Sequence, residues 1–349
     1  MDPLIAGKVA PVMTIVETEH SDALSSETYE DMLNRLSDAS VHRSFSPYVD
    51  IDWEAPEFQV VDNDPRWILP EVELLGTHPW YLSQTREQQI AIGQYRQANV
   101  AKVGLLFEQV LIRGFMQYVS MLPNRSAEFR YATHEVIEEC NHTLMFQELV
   151  NRSGVDVPGF GPVMRRVMPF LGLAAWPFPS IFFMGVLAGE EPIDHIQKSY
   201  LRSESNYHPI VRGVMRIHVA EEARHISFAH EFLRQHVREN GPVGKFFLSL
   251  VFPIIMRVLC DVIAVPPKSF FETFEIPKSV KKELFWELPA SRQALSGYFG
   301  DVRLLADELG LMNRVSRVLW KALKIDGKPS RFRSEPDRAL VTGSGDAHA

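Results

Sequence analysis

From about residue 83 onward, apolar residues recur at helical spacing, and no stretch of the chain alternates in the manner of a β-strand. Ser83–Ser120 keeps that spacing without a proline and reads as one long helix, which Leu122-Pro123-Asn124 stops. Ser126 is placed to cap a second helix over about Ala127–Arg152, and Ser153-Gly154 ends it. After a Pro/Gly-rich connection a third helix is expected from Pro179 to about Ser203, kinked at Pro192. A fourth follows Tyr207-His208-Pro209 and runs to Glu239, before Asn240-Gly241-Pro242. Phe246–Val265 reads as an apolar core helix broken near Pro253, and Asp301–Leu323 as one amphipathic helix. The pattern gives an all-α fold: four long helices in a bundle, with additional helices around it.

Around that core, residues 1–80 read as an irregular N-terminal segment packed on the bundle, with short helices near Ser26–Ser37. Residues 81–325 form the helical domain, and 326–349 a polar tail expected to be disordered. Val167–Gly189 holds no charged residue and is long enough on paper to span a bilayer. Pro169, Pro177 and Pro179 divide it, which favours a buried core segment over a membrane-touching or lipid-entry surface.

Charge and cysteine content narrow the function classes. The net charge of −8 provides no basic footprint for nucleic acid. Two cysteines, Cys140 and Cys260, cannot form a disulfide framework and fit a reducing, cytoplasmic setting. Residues 1–20 carry Asp2, Glu17 and Glu19 and lack the basic and apolar regions of a signal peptide. A membrane partner is not expected.

The chemistry lies in a repeat. Glu138-Glu139-Cys140-Asn141-His142 in the second long helix and Glu221-Glu222-Ala223-Arg224-His225 in the fourth both read E-E-x-x-H. A glutamate and a histidine three residues apart share a helix face and can bind one metal ion. Glu139 with His142, and Glu222 with His225, form such pairs. Two-metal carboxylate bundles add one glutamate from each of two further helices. Glu108 and Glu190 stand one helix earlier in each half, each at the edge of an apolar run where an unpartnered acid would be costly. His218 precedes Glu222 by one turn and points the same way, so the candidate set is four glutamates and three histidines. A core histidine above the site is the other reading of His218.

The first glutamates of the motifs, Glu138 and Glu221, could accept the outer N–H of a histidine on the opposite motif, with Arg224 bracing them; surface placement is the alternative. Asp194, one turn after Glu190, is a candidate to support the site. His20, His42, His78, His134, His195, His208, His230, His236 and His348 lack a supporting pattern and read as structural or surface residues.

On Phe107-Glu108-Gln109, Glu139-x-x-His142, Ala188-Gly189-Glu190 and His218-x-x-x-Glu222-x-x-His225 the chain resembles the arylamine N-oxygenases typified by p-aminobenzoate N-oxygenase, over about residues 80–240. The third histidine is the most discriminating element. The resemblance implies a ferritin-like four-helix bundle and two iron ions, with a manganese/iron pair as the other possibility. It implies O2-dependent N-oxygenation of an aromatic amine through a peroxo-diferric intermediate, an external electron donor and a homodimer. It further implies one ion held by Glu108, Glu139, His142 and another carboxylate, and a second by Glu190, His218, Glu222 and His225. Family members that take an aryl carboxylate hold it with an arginine near the C-terminal helices. Here no arginine aligns securely with that place, Arg292 and Arg303 being nearby candidates, and the apolar 167–189 and 244–256 stretches suit a more apolar substrate. Carbon hydroxylation or desaturation of a lipid-like substrate is therefore the competing enzyme reading, and an iron-handling bundle the non-enzymatic one.

Overall fold

The computed structural model describes residues 28–330, and these contain helices and turns but no strand. After a single helical turn, α2 (Pro79–Leu82), come the four long helices, α3 (Arg86–Val119), α4 (Ala127–Ser153), α6 (Pro179–Arg202) and α7 (Pro209–Arg238). Their ends follow from local chemistry. Thr85 and Gln88 form a capping box at the start of α3, and the Ser126 side chain accepts from Phe129 N–H at the start of α4. Gly154, at φ +72°, ends α4 in a conformation that costs glycine little. His208 caps α7, with Pro209 at the first helical position where its missing N–H leaves no gap.

Short connections pair α3 with α4 and α6 with α7, and further contacts of α4 with α7 and α3 with α6 close the four-helix bundle. The one long crossover, between α4 and α6, contains α5 (Pro162–Leu171) and a 3₁₀ turn at Gly172–Ala175. This is a ferritin-like helical bundle. One half of its interior is filled by interlocking rings of Phe115, Phe182, Phe183, Phe228 and Phe232, with Phe183 stacked on Phe232 at 3.7 Å between centroids. Such rings contribute packing beyond their buried area.

The earlier helix α1 (Tyr29–His42) lies across α4 and α7. The irregular segment after it packs Ile51, Trp53 and Trp67 on the bundle, where Arg152 donates to the carbonyl of Trp53. The expected helix near Ser26–Ser37 corresponds to α1, although residues 1–27 lie outside the described residues.

Helix α8 (Pro242–Ala264) runs unbroken through Pro253, contrary to the expected break. Proline removes one backbone hydrogen bond, and burial of Phe252, Pro253 and Met256 against the core offsets that loss. Its other face exposes Val243, Phe246, Phe247, Ile254 and Val258. By length and composition alone α8 is apolar enough to cross a membrane. The uncharged 167–189 stretch is only half core. Its α6 part is buried, whereas Val167, Phe170, Leu173, Trp176 and Phe178 are exposed because the prolines turn that part onto the surface.

Between α8 and the C-terminal pair stand the short helices α9 (Lys268–Thr273), α10 (Lys278–Lys282) and α11 (Pro289–Gly297). The single helix expected over Asp301–Leu323 is two, α12 (Gly300–Glu308) and α13 (Arg314–Ala322). Gly310, at φ +72°, ends the first, and the Asn313 side chain caps the second by accepting from Val315 and Ser316 N–H. Residues 326–330 are held against this pair: Arg303 donates to the carbonyl of Lys328, and Ser330 N–H to that of Gly300. The rest of the expected tail, residues 331–349, lies outside the described residues.

Candidate metal centre

Helices α3, α4, α6 and α7 carry Glu108, Glu139, His142, Glu190, His218, Glu222 and His225 into one buried cluster between them. Three overlapping groups form it: Glu108, His142, His218 and Glu222; Glu139, His142, Glu222 and His225; and Glu135, Glu139, Glu190 and His225. Within each group the candidate ligand atoms lie within 4.8 Å of one another.

The imidazoles are oriented from behind. His142 Nε2 lies 2.9 Å from Glu221 Oε2 on α7, and its Nδ1 faces Glu139 at 3.1 Å. His225 Nε2 lies 2.8 Å from Glu138 Oε2 on α4, and its Nδ1 faces Glu139 at 3.0 Å. Each motif's first glutamate thus holds the other motif's histidine. A carboxylate that accepts the outer N–H fixes the tautomer and leaves the inner nitrogen free to bind a metal. Arg224 donates to Glu138 at 2.8 Å and lies 3.6 Å from Glu221. The N-terminal segment covers this outer layer, with Phe45 N–H donating to Glu221 and Asn141 to the carbonyl of Phe45.

His218 is turned the other way. Its Nδ1 is held by Gln197 Oε1 at 2.9 Å, and its Nε2 faces Glu108 at 3.3 Å and Glu222 at 3.4 Å. It therefore sits at the Glu108–His142 end, whereas the resemblance paired it with Glu190 and His225. Gln197 escaped the sequence reading, although it lies seven residues after Glu190, on the same face of α6. Asp194 is buried but paired with Lys198 at 2.7 Å. His230, read as structural, is buried against Glu191 at 2.7 Å.

The cluster is overloaded with acid and short of hydrogen bonds. Both oxygens of Glu135, Glu190 and Glu222, one each of Glu108 and Glu139, and Nδ1 of His225 have no hydrogen-bonding partner. Buried polar groups are almost always paired, so this concentration marks a donor set suited to bound cations. Burial, followed by the fields of neighbouring carboxylates, raises Glu108 and Glu190 well above the ordinary carboxylate range. Against the opposing effect of burial, the Glu139 and Glu221 bonds raise His142 to about 10. Burial lowers His218 to about 4. The donor set, imidazole and carboxylate without thiolate, fits a carboxylate-bridged two-metal site. Exposed Cys140 is outside it.

Beside the cluster lies a cavity of about 280 Å³ between α3, α5, α6 and α8, lined by apolar residues alone, among them Val110, Leu111, Phe182, Val186 and Leu259. Phe107 and Ile263 line both this cavity and a space of about 30 Å³ bounded by Glu108, Glu190 and His218. Phe107 presses on Gly189, where a Cβ would lie 1.8 Å from the ring, so Ala188-Gly189-Glu190 needs its glycine. Ile254 and Val258 both line the cavity and reach the surface, so it opens on the apolar side of α8. The two candidate arginines are committed elsewhere: Arg292 donates to the carbonyl of Trp286, and Arg303 to those of Ser296, Ile325 and Lys328.

Comparison with known proteins follows the same lines. Residues 26–310 match the family described as P-aminobenzoate N-oxygenase AurF. An uncharacterized protein of Mycobacterium tuberculosis (strain H37Rv) is 59% identical over 317 residues, covering 91% of this chain and 93% of its own length. An uncharacterized protein of Mycobacterium bovis matches at the same identity and coverage.

Proposed function

The chain belongs to the p-aminobenzoate N-oxygenase AurF family, and from that membership we propose that it is a di-iron oxygenase acting on the nitrogen of an aromatic amine with an apolar body. The observation that carries this reading is the buried set of carboxylates left short of hydrogen bonds around three oriented imidazoles. Two iron ions bound there would activate O2 with electrons from an external donor. The balanced first step is amine, O2, two electrons and two protons giving hydroxylamine and water.

The chain's own part is to bind, orient and exclude. Glu221 and Glu138 hold His142 and His225 by their outer nitrogens, and Gln197 holds His218, so each inner nitrogen points to the cluster. The apolar cavity would take the body of the substrate and keep water from the centre. A cavity of roughly 150 Å³ accommodates benzene, so this one has room for a ring and a substituent. With no charged lining residue among the described residues and both arginines engaged, the cavity offers an aryl carboxylate no partner from them. The amine end would lie in the small space by Glu108 and Glu190, whose oxygens can accept its N–H groups.

The apolar lining also favours a second reading, oxidation of carbon in a lipid-like substrate. The two separate on one experiment. Iron-loaded, reduced protein is exposed to ¹⁸O2 with 4-butylaniline, p-aminobenzoate and a fatty acid, and the products are analysed by mass spectrometry. Label on the nitrogen of 4-butylaniline is expected. Label on carbon instead gives the second reading the site. No O2-dependent product from any of the three compounds, in protein that metal analysis shows to hold two irons, ends the oxygenase reading. We also propose a homodimer, for which the exposed apolar faces of α5 and α8 offer surface; light scattering tests it.

A further inference from the structure

The two outer groups of the cluster are images of each other under exchange of the two halves of the chain. Glu108 on α3 corresponds to Glu190 on α6, and His142 on α4 to His225 on α7. Glu222 in the first group corresponds to Glu139 in the third. The remaining member is His218 in one group and Glu135 in the other, and each stands four residues before the second glutamate of its motif. The repeat is thus longer than E-E-x-x-H. It reads X-x-x-E-E-x-x-H, with X being Glu135 in α4 and His218 in α7. Residues four apart share a helix face, so X is carried inward in both halves.

Glu135 has no other occupation. It is fully buried, and neither of its oxygens has a hydrogen-bonding partner. One of those oxygens lies within 4.8 Å of candidate ligand atoms on Glu139, Glu190 and His225. A buried carboxylate grouped with other acids, with no hydrogen bond to either oxygen among the described residues, is costly unless a cation joins it.

We propose that Glu135 is an eighth ligand, and that the two metal sites are therefore chemically unequal. This rests on the two-metal reading above. One site offers two imidazoles and two carboxylates, from His142, His218, Glu108 and Glu222. The other offers one imidazole and three carboxylates, from His225, Glu135, Glu139 and Glu190. Imidazole suits the later first-row divalent ions, while oxygen-rich sites suit harder ions such as Mn²⁺. The two sites then differ in preference, with Mn²⁺ entering the Glu135 site and Fe²⁺ the His218 site when both metals are offered.

The test uses the full chain stripped of metal and titrated without O2 by Mn²⁺ and by Fe²⁺. Calorimetry and metal analysis count the sites, Mn²⁺ electron paramagnetic resonance reads the manganese, and ⁵⁷Fe Mössbauer spectra read the iron. The wild type should bind two ions per chain and give two distinct iron doublets of equal area. Glu135→Gln should keep one site and weaken the other at least about 10-fold. Glu135→His should restore two-site binding but abolish the preference for Mn²⁺, and make the two iron doublets converge. Melting of the metal-free protein guards against misfolding. Glu135→Gln removes an unpartnered buried charge, so it should melt no lower than wild type, whereas a packing role would lower it. Two sites of wild-type affinity and unchanged spectra in Glu135→Gln would overturn the assignment while leaving the two-metal reading intact. A wild type that binds no pair of metal ions would overturn both.

Discussion

The interior of the bundle holds two neighbouring spaces of opposite character. The candidate metal cluster gathers carboxylates short of hydrogen bonds around imidazoles held from behind, and the cavity beside it has no polar side chain in its lining. Phe107 and Ile263 stand between them. The contrast separates reactivity from selection. A crowded acid cluster gains from any divalent cation and carries little information about substrate shape. The cavity contributes nothing to charge and decides what can approach. A change on one side of Phe107 should therefore leave the other side nearly untouched.

The most severe test of that separation is Glu222→Ala, because Glu222 belongs to two of the three ligand groups. At least one of the two metal ions should be lost by metal analysis and O2-dependent turnover should vanish. Binding of 4-butylaniline to the metal-free protein, followed by calorimetry, should stay as in the wild type. Next in size is Glu221→Gln, which weakens the acceptor behind His142; metal affinity should fall about 10- to 100-fold with both sites still fillable. On the other side, Gly185→Leu places a side chain where a Cβ meets only Leu259, at 3.8 Å. It should weaken 4-butylaniline binding roughly 10-fold by excluding several methylenes, with metal content unchanged. If Gly185→Leu lowers metal content, or Glu222→Ala abolishes aniline binding, the two regions are one.

The smallest effect should bypass both. His208 is buried, stacks on Trp67 at 4.5 Å and accepts from Ile210 N–H at the start of α7. Burial, aided by the charge of Arg66, lowers it from 6.5 to about 4. Its neutral form is the folded one, so its stabilisation is complete above pH 6.5 and is lost as pH falls toward 4. Between pH 7 and pH 5.5 this should cost about 1 kcal/mol. Denaturant melts of wild type and His208→Gln measure it, and the pH slope should be shallower in the variant.

The sequence reading reached the first region far more fully than the second, for physical reasons. Side chains that share one face of a helix obey three- and four-residue spacing, so the candidate ligands Glu139, His142, Glu222 and His225 announce themselves as two pairs, each within a few residues. The long helices are legible through apolar periodicity and through caps such as Ser126 and Gly154. Glu135 escaped although it repeats the offset of His218, because one more glutamate on an acidic helix carries no signal until the two halves are superposed. Gln197 escaped because a hydrogen bond to an imidazole has no spacing rule across helices. The cavity could not be read at all: its walls come from α3, α5, α6 and α8, and apolar residues lining a void look the same as those filling a core. The division of 301–323 into two helices turned on Gly310 and Asn313, local signals outweighed by the amphipathic pattern around them.

The crossed bonds from Glu138 to His225 and from Glu221 to His142 have a consequence for biogenesis. During synthesis the α3–α4 hairpin leaves the ribosome well before α7 exists. At that stage His142 has no outer acceptor, and the half-centre lacks Glu222, His218 and His225. A tight site for a redox-active ion therefore comes into being only when the second hairpin docks on the first. On the di-iron reading proposed above, iron acquisition is tied to completion of the fold, and a half-made chain offers O2 no paired metal centre with which to damage it.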